Sequence, residues 1–547
     1  MYKSSRLALY HFWVAFAVFM LSAFLGAWQM WMRSPLPAPL ADSNAYYASV
    51  TLHGNAMAYV LTTFFAMGFG YAVMATSAGR PIRGMTAAWI GFAICVTGTV
   101  IAVITILMGR ASVLYTFYPP LLASPWYYIG VFMLVGGSFI WVALMVINMM
   151  DWKRDHPGVP VPLPMFAITA TALLWVWSAS GVALELLIVI FPQAFGWTSQ
   201  MDPGLARALF SITLHSIVYF WLMPAYIAFY TLVPEVAGGR LYSDTMGRLT
   251  FVMFLVVSVP VGLHHLFADP GHGSGFKFVQ SFLTFIIALP TLLTVFSILA
   301  SLEIAGRARG GRGWLGWIPA LPWKEPMILA MGLSLIMLGF GGWGGLINMS
   351  YGMNMMIHNT AWVPAHFHLI FGGTVVIMYF AIAYEMWPRI TGKPLRSKGL
   401  ARLQLWMWFI GMMLMSVPWH ITGLMGEPRR VAFFDYTDPL IAPMAPLAII
   451  SVFGGFIMLA AAILLIVILV RSQLGETALA EPLRYAVALN PPRHVPASLN
   501  GFALWNAVLA FLMIAFYGYP IGQFFFLKSS APPYEVIRQS SNAEPRP

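Results

Sequence analysis

About thirteen apolar runs follow one another along this chain of 547 residues, and each can span a bilayer as a helix of about 20 residues. Only 9% of the residues are charged, whereas soluble domains carry about 25%, so an integral membrane protein is predicted. The predicted fold class is an all-α bundle of about 13 transmembrane helices, at roughly 8–32, 49–76, 86–109, 126–150, 164–193, 205–233, 249–267, 276–302, 327–347, 359–386, 403–425, 444–470 and 499–527.

These spans leave no room for a soluble domain. We predict a single transmembrane domain over residues 1–528. Residues 529–547 contain several Pro, Ser and Asn residues and are predicted to form a polar, poorly ordered tail.

The basic residues indicate the orientation of the chain. Most of its 29 Lys and Arg residues fall in alternate inter-span segments, and these become the inner segments when the N-terminus is cytoplasmic. An odd number of spans then places the C-terminus outside. This bias explains the formal charge of +11 without a nucleic-acid partner and makes the lipid bilayer the main environment of the chain.

The stretch 362–368, Trp-Val-Pro-Ala-His-Phe-His, lies inside an apolar run and carries two ionisable side chains. Ionisable groups inside a membrane are functional candidates by default. Successive helical residues are about 100° apart, so His366 and His368 face nearly opposite directions. We predict that they bind two different cofactors, one on each side of the helix.

Two neighbouring spans carry three further histidines. His215 and Tyr219 are separated by four residues and share one helical face, while His264 and His265 are adjacent in the next span. Three imidazoles form a site suited to copper, iron or zinc. The chain has one cysteine, Cys95, which excludes an internal disulfide and a Cys-ligated iron–sulfur cluster. Any metal is therefore predicted to sit on histidine.

Taken together, these histidines, Tyr219 and the stretch 362–368 resemble subunit I of the haem–copper oxygen reductases, the cytochrome c oxidases. The resemblance implies a low-spin haem, a high-spin haem and one copper ion. It also implies that Tyr219 is covalently joined to the first copper histidine. The implied ligands are His53 and His368 for the low-spin haem, His366 for the high-spin haem, and His215, His264 and His265 for the copper.

Within that family the chain resembles the B-type branch, because Ile217 and Thr294 stand where another branch has a glutamate and a lysine. The branch implies haem b at the low-spin site and an a-type haem at the high-spin site. It also implies a hydroxyl chain for protons, although hydroxyls at this spacing equally suit ordinary helix contacts. The implied path comprises Tyr219, Tyr226, Tyr230, Thr291, Thr294 and Ser297.

Arg429 and Arg430 lie on the predicted outer side, where basic residues are scarce, and the resemblance implies that they bind haem propionates with His358 nearby. Two positions depart from the family pattern. Ser216 replaces a usual proline, and Asn354 replaces an aspartate that relatives often have four residues before His358. Glu185 lies inside a span without an assigned role.

The resemblance implies the catalytic subunit of a terminal oxidase in a bacterial or archaeal plasma (inner) membrane, reducing O₂ to water with proton uptake and pumping. A dinuclear copper centre cannot be built with one cysteine, so a second subunit must carry it, and cytochrome c or a small copper protein would be the donor. The alternatives are a nitric-oxide reductase of the same superfamily, which would lack the tyrosine, and a proton-coupled transporter without redox cofactors.

Overall fold

Almost all regular secondary structure is helical in the computed structural model, which describes residues 3–40, 42–269, 272–478, 483–527 and 534–535. The helices are α1 Lys3–Met32, α2 Ser43–Asn55, α3 Thr62–Ala78, α4 Met85–Leu107, α5 Pro125–Asp155, α6 Leu163–Glu185, α7 Phe191–Ala194, α8 Pro203–Thr231, α9 Val233–Val236, α10 Asp244–Val257, α11 Ser274–Ile286, α12 Ala288–Ala308, α13 Pro326–Met349, α14 Tyr351–Ile357, α15 Trp362–Phe367, α16 Val376–Thr391, α17 Lys398–Leu424, α18 Ala445–Gln473 and α19 Ala503–Phe526.

Short segments of other geometry connect or extend these helices. The 3₁₀ turns are Gly262–Leu266, Ala442–Met444 and Ala497–Leu499, and the π-helical segments are Ala56–Leu61, Leu186–Ile190 and His368–Val375. Two residue pairs form a small antiparallel sheet, β1 Gln200–Met201 with β2 Tyr534–Glu535. Apart from β2, the predicted poorly ordered tail lies outside the described residues.

Twelve helical segments of the described chain are long and apolar enough to cross a membrane, against about 13 predicted. The difference lies in the predicted span 249–267. Its helix α10 ends at Val257 and is only 14 residues long, and the chain continues through a non-helical stretch into the 3₁₀ turn. Hydropathy alone does not detect this break, because the residues on both sides of it are apolar.

The break follows from local backbone chemistry. Pro260 removes a backbone donor, which disfavours continued α-helix. Gly262 lies so close to α8 that a β-carbon there would stand 1.8 Å from the carbonyl oxygen of Ser211. The hydroxyl of Tyr517 in α19 accepts the backbone N–H of Gly262 at 3.0 Å and lies 3.2 Å from the carbonyl oxygen of Val259. The broken segment is therefore held between α8 and α19.

The three π-helical segments lie within long membrane spans. One follows α2, which carries His53, another begins at His368, and the third begins directly after Glu185. Single π turns interrupt the regular bonding of an α-helix and occur frequently at functional sites. Two of the three adjoin residues that the sequence predicts to be haem ligands.

Candidate functional site

His53 and His368 face each other across the bundle. Their rings are nearly parallel, with an interplanar angle of 17° and a centroid separation of 6.3 Å. Two metal–imidazole bonds of about 2 Å, with about 1 Å from each nitrogen to its ring centroid, span about 6 Å. The spacing therefore fits one metal ion between the two rings, as a six-coordinate haem iron requires.

Both rings are oriented by hydrogen bonds to carbonyl oxygens. Nδ1 of His53 donates to the carbonyl of Ser22 at 2.8 Å, and Nδ1 of His368 donates to the carbonyl of Pro364 at 2.7 Å. Because a carbonyl only accepts, Nδ1 carries the hydrogen in each ring and Nε2 keeps its lone pair. Gly26 gives His53 its space, since a β-carbon there would lie 2.9 Å from Cε1 of the ring.

His366 points to a different partner helix from His368. Its Nδ1 donates to the carbonyl of Gly341 in α13 at 2.8 Å. Added β-carbons at Gly344 and Gly345 would each lie 3.1 Å from its ring, so the α13 backbone packs closely against it. The predicted separation of the two histidines onto different sides is thus present, and Nε2 of His366 is again left without its hydrogen.

His215, His264 and His265 form one cluster. One ring nitrogen from each residue lies within 4.8 Å of those of the other two. The ring centroids of His215 and His264 are 4.5 Å apart, and those of His264 and His265 are 4.3 Å apart. No Asp or Glu of the described chain joins this group. Three imidazoles without a carboxylate form a donor set that suits copper, iron or zinc.

The tautomer of His264 also suits metal binding. The hydroxyl of Thr284 in α11 donates to the carbonyl of Gln280 at 2.6 Å, so it accepts from Nδ1–H of His264 at 3.0 Å. That bond leaves Nε2 of His264 as the free ligand atom. Nε2 of His215 is buried and has no hydrogen-bond partner within the described ranges. A buried nitrogen without a partner is costly, and a bound metal would satisfy it.

Tyr219 lies beside the cluster, with its ring centroid 5.0 Å from that of His215. Further along α8, part of the predicted hydroxyl path is connected by hydrogen bonds. The phenol of Tyr226 donates to Thr291 at 3.4 Å, and the phenol of Tyr230 lies 3.3 Å from the hydroxyl of Thr294. Thr250, which the sequence did not single out, lies 3.1 Å from the same Tyr230 oxygen.

The remaining path member, Ser297, is buried one turn after Thr294 and lies next to Tyr230. Ser301 continues the row: its hydroxyl donates to the carbonyl of Ser297 at 2.7 Å and accepts the backbone N–H of Tyr242 at 2.9 Å. The chain of hydroxyls along α12 therefore extends beyond the predicted members toward the end of the helix.

Arg429 and Arg430 lie in the loop after α17. Arg429 donates twice to the side-chain oxygen of Asn359, at 3.1 and 2.8 Å, and neither arginine pairs with a carboxylate of the described residues. Burial lowers the pKa of Arg429 to about 10, and the charge of Arg430 adds to the effect. Both still carry positive charge at neutral pH, so they present two unneutralised cations suited to carboxylates such as haem propionates.

His358 lies near these arginines. Its Nδ1 donates to the side-chain oxygen of Asn354 at 3.3 Å, and Asn354 donates to the carbonyl of Asn348 at 2.7 Å. Burial lowers the pKa of His358, and the charge of Arg429 lowers it further. The departure at Asn354 therefore places a neutral amide, not a carboxylate, against this histidine.

One cavity of about 1090 Å³ connects these groups. That volume exceeds the range of about 300–1000 Å³ that is typical of single small-molecule sites. Of the predicted site residues, the following border it: His53, His215, Tyr219, Tyr226, His264, His265, Thr291, His358, His366, His368, Arg429 and Arg430. Tyr230, Thr294 and Ser297 do not line the cavity.

Sequence reasoning missed the residues that orient the histidines. Ser22, Thr284 and Gly341 bond Nδ1 atoms, and Tyr517 anchors the turn that carries the histidine pair. Each lies far from its histidine along the chain, so no local motif joins them. The only sequence signal was the Pro260–Gly262 interruption before His264.

Residues 6–457 match the model of a protein family described as cytochrome c and quinol oxidase polypeptide I. The chain belongs to this family. Cytochrome c oxidase subunit 1 of Thermus thermophilus is 38% identical over 495 residues, covering 88% of this chain and 87% of that relative. Its counterpart from Thermostichus vulcanus is 28% identical over 76% of this chain and 74% of that protein.

A solved structure gives the same result. A haem–copper terminal oxidase dimer determined by cryo-electron microscopy superposes with a TM-score of 0.92 at 32% identity, covering 98% of this chain and 95% of that one. As an oxidase polypeptide I, the chain is a multi-pass membrane oxidoreductase from a family that uses haem and copper. This membership excludes the transporter alternative.

Proposed function

We propose that the chain is the catalytic subunit of a respiratory terminal oxidase that reduces O₂ to water with electrons from cytochrome c. One observation carries the proposal: the three-histidine cluster, His366 and the His53–His368 pair all border the same cavity. This arrangement supports two haem positions and one copper position around a single cavity. The similarity to subunits named cytochrome c oxidase supports the same activity.

The cofactor assignments follow the donor sets. The stacked pair would hold a low-spin haem, His366 alone would hold a high-spin haem, and the three-histidine cluster would hold one copper ion. When bound, these groups supply electrons and an open coordination position for O₂. We further propose haem b for the low-spin position and an a-type haem for the high-spin position, on the resemblance to the B-type branch.

The protein's own residues orient these groups and move protons. Arg429 and Arg430 would neutralise haem carboxylates at the rim of the cavity. Tyr219 would keep its phenolic proton beside His215 until O₂ is reduced there, and the resemblance implies that the two side chains are covalently joined. The hydroxyls of Tyr226, Tyr230, Thr291, Thr294 and Ser297 would pass protons toward Tyr219, with water in the cavity completing the path beyond Tyr226.

A partner subunit would deliver the electrons. The chain's single cysteine, Cys95, is fully buried within the bundle, so a dinuclear copper centre has to come from a second subunit. We propose that this subunit docks on the outer face and accepts electrons from cytochrome c or a small copper protein. The broken segment from α10 to Asp269 is counted as a crossing, because Arg248 bonds the carbonyl of Val161 just before α6 and Asp269 pairs with Arg207 near the start of α8, at the other end of the bundle. With that crossing, the basic residues favour a cytoplasmic N-terminus and a C-terminus outside.

The test is a combined assay of the purified complex. We expect two spectrally distinct haems, one copper per chain outside the partner's copper centre, and O₂ consumption with reduced cytochrome c. Extraction of the haems would identify their side chains. A preparation that reduces nitric oxide but not O₂, or that carries iron in place of copper at the histidine cluster, would overturn the proposal in favour of a nitric-oxide reductase.

A further inference from the structure

Glu185, the last residue of α6, carries a carboxyl group that the proposed chemistry does not use. The side chain is 0% exposed, and neither oxygen has a hydrogen-bond partner among the described residues. Burying an ionised carboxylate without a partner is prohibitively costly, so the group must be held as the neutral acid. A neutral carboxylic acid in a membrane interior can release its proton and later take one up again.

The other buried glutamate of the described chain, Glu427, is arranged differently. It forms an ion pair with Arg33 at 2.5 Å, as a structural carboxylate should. Glu185 has no such cation. A role limited to packing would be served better by an apolar side chain of the same size, because the polar group adds only a desolvation cost. The contrast indicates that Glu185 is retained for its proton.

The position of Glu185 can be read from the packing of α6 against α8. The backbone N–H of Val182 donates to the hydroxyl of Thr213 at 2.8 Å, and Thr213 precedes His215 by two residues. The first of these spans continues from α6 through the π segment and α7 to Ala194, and the chain turns back at residues 195–202 into α8, so α6 and α8 run antiparallel. Glu185, three residues after Val182, is therefore roughly 5 Å further toward the N-terminal end of α8. It lies beyond the level of the histidine cluster, on the proposed outer side.

Tyr118 provides the link between Glu185 and the cavity. Its hydroxyl is also buried and also lacks a partner within the described chain, and its side chain borders the cavity. The Tyr118 ring packs against Phe210 of α8, with the ring centroids 5.4 Å apart, and Phe210 lies three residues before Thr213, at the level along α8 that Glu185 reaches. Burial raises the pKa of Tyr118, and the Glu185 carboxyl raises it further. Two unsatisfied polar groups close together are the setting in which a buried water is expected.

Two charged residues lie next to Tyr118 on the proposed outer side. The guanidinium of Arg207 lies over its ring at 5.4 Å, and Arg207 is paired with Asp269 at 2.7 Å. Arg207 is therefore the cation that lies beside Tyr118.

The backbone at Glu185 supplies an independent observation. The π-helical segment Leu186–Ile190 begins at the next residue. The other two π segments of the described chain adjoin α2, which carries His53, and begin at His368. Because π turns are found frequently at functional positions, the third one marks Glu185 in the same way.

From this geometry we propose that Glu185 is a proton-holding site between the cavity and the outer surface. The carboxyl O–H bond breaks and its proton passes to a water shared with Tyr118, from which it continues outward past Arg207 and Asp269, leaving a carboxylate at Glu185. A proton arriving from the cavity then restores the acid. The inference rests on the proposed proton-coupled oxidase function.

Infrared difference spectroscopy of the whole complex, reduced minus oxidised, tests the protonation step. The wild type should show a carboxylic-acid C=O band that shifts in heavy water. Glu185→Gln should lose this band, whereas Glu303→Gln, a control at an exposed glutamate paired with Arg307, should keep it. An unchanged band in Glu185→Gln would overturn the proposal. If that variant fails to assemble its haems, Tyr118→Phe replaces it, and an unshifted band there would equally overturn it.

Proton release from reconstituted vesicles tests the role. Glu185→Gln has the same shape but cannot give up a proton, so protons released per electron should fall about twofold or more. Glu185→Asp should recover part of the loss, and haem spectra should stay normal in both. Wild-type release by Glu185→Gln would overturn the proposal while leaving the oxidase function standing. Absence of O₂ consumption by the wild type would instead count against the oxidase function, and the infrared result would still decide whether Glu185 exchanges its proton.

Discussion

At the residue scale, four histidines share one arrangement. Nδ1–H of each ring donates to a protein oxygen: the carbonyls behind His53, His366 and His368, and the Thr284 hydroxyl behind His264. Each bond fixes the tautomer and the ring plane before any metal arrives, and leaves Nε2 for the metal. The residue types were predictable from the sequence, whereas the orienting partners of His53, His264 and His366 were not, because they come from other helices.

The pair His53–His368 gives the first prediction. His53→Ala removes one of the two facing nitrogens, so the low-spin haem should lose its sharp absorption while the high-spin haem stays bound. Reduced-minus-oxidised spectra of the purified complex measure this. Gly26→Ala is the matched variant, because its β-carbon would press on the His53 ring, and it should broaden the same band. A full low-spin spectrum in His53→Ala would contradict the assignment.

The copper cluster gives the second prediction. His264→Ala and His265→Ala should each lower the copper content, with both haems retained and turnover near zero, because two imidazoles bind the ion poorly. Thr284→Val removes only the orienting hydroxyl and should weaken copper binding about 10-fold or more. Thr284→Ser serves as its control and should behave as the wild type. Copper retention during dialysis against graded chelator separates these cases, and normal retention in all four variants would exclude the site.

At the scale of helices, the long apolar runs were sufficient to predict the spans. What hydropathy could not predict is backbone geometry within a run. The break after Val257 and the π segment at His368 both occur among apolar residues, so periodicity and composition are unchanged across them. Pro260 and Gly262 were visible signals, but their effect depends on the close approach of Ser211 and on Tyr517, which only the folded bundle shows.

This break gives the third prediction. Gly262→Ala would place a methyl group against the Ser211 carbonyl oxygen, 1.8 Å away without movement, so the turn carrying the histidine pair must shift. Copper content should fall while the low-spin haem spectrum is preserved. Gly275→Ala, where an added β-carbon meets nothing within 4 Å, is the control and should leave copper unchanged. Equal copper content in the two variants would mean that the turn does not position the ligands.

The hydroxyl row between α8 and α12 gives the fourth prediction. Thr294→Val and Tyr230→Phe remove hydroxyls that lie 3.3 Å apart, while keeping the side-chain shapes. A proton cannot cross an apolar gap, so O₂ consumption should fall severalfold or more in the double variant with normal haem spectra and metal content. Tyr219→Phe should be more severe, since it also removes the phenol beside His215. Single variants test how far water bypasses one missing link.

A double variant that turns over at the wild-type rate, with its metals in place, would show that protons enter by another route. Ser301→Ala then becomes the informative comparison. Ser301 lies outside the predicted path, one turn after Ser297, and its hydroxyl bonds the carbonyl of Ser297 and the backbone N–H of Tyr242, so its removal reports whether protons enter along that end of α12.

At the scale of the whole molecule, one cavity lies within a shell of helices, and the candidate ligands reach it from α2, α8, the broken segment and α15–α16. Histidines that are far apart in sequence all border this one cavity. Its existence could be inferred from the family resemblance, but its volume and its connection to Arg429 and Tyr226 depend on helix packing that no single span encodes.

Orientation in the membrane gives the last prediction. The inner segments that follow from a cytoplasmic N-terminus hold most of the basic residues, and the positive-inside rule then places the loop after α17 outside and the end of α18 inside. Leu440 lies in the loop after α17 and Leu474 at the end of α18, and the two are almost equally exposed, at 80% and 79%. The native thiol of Cys95 is 0% exposed, so an introduced cysteine should react over a low background. A membrane-impermeant maleimide should therefore label Leu440→Cys in intact cells and Leu474→Cys only after the membrane is opened. Labelling after denaturation gives the total for each variant and corrects for expression. The reverse pattern would place the N-terminus outside and would also move Glu185 to the cytoplasmic half, which makes this experiment a check on the direction of every proposed proton movement.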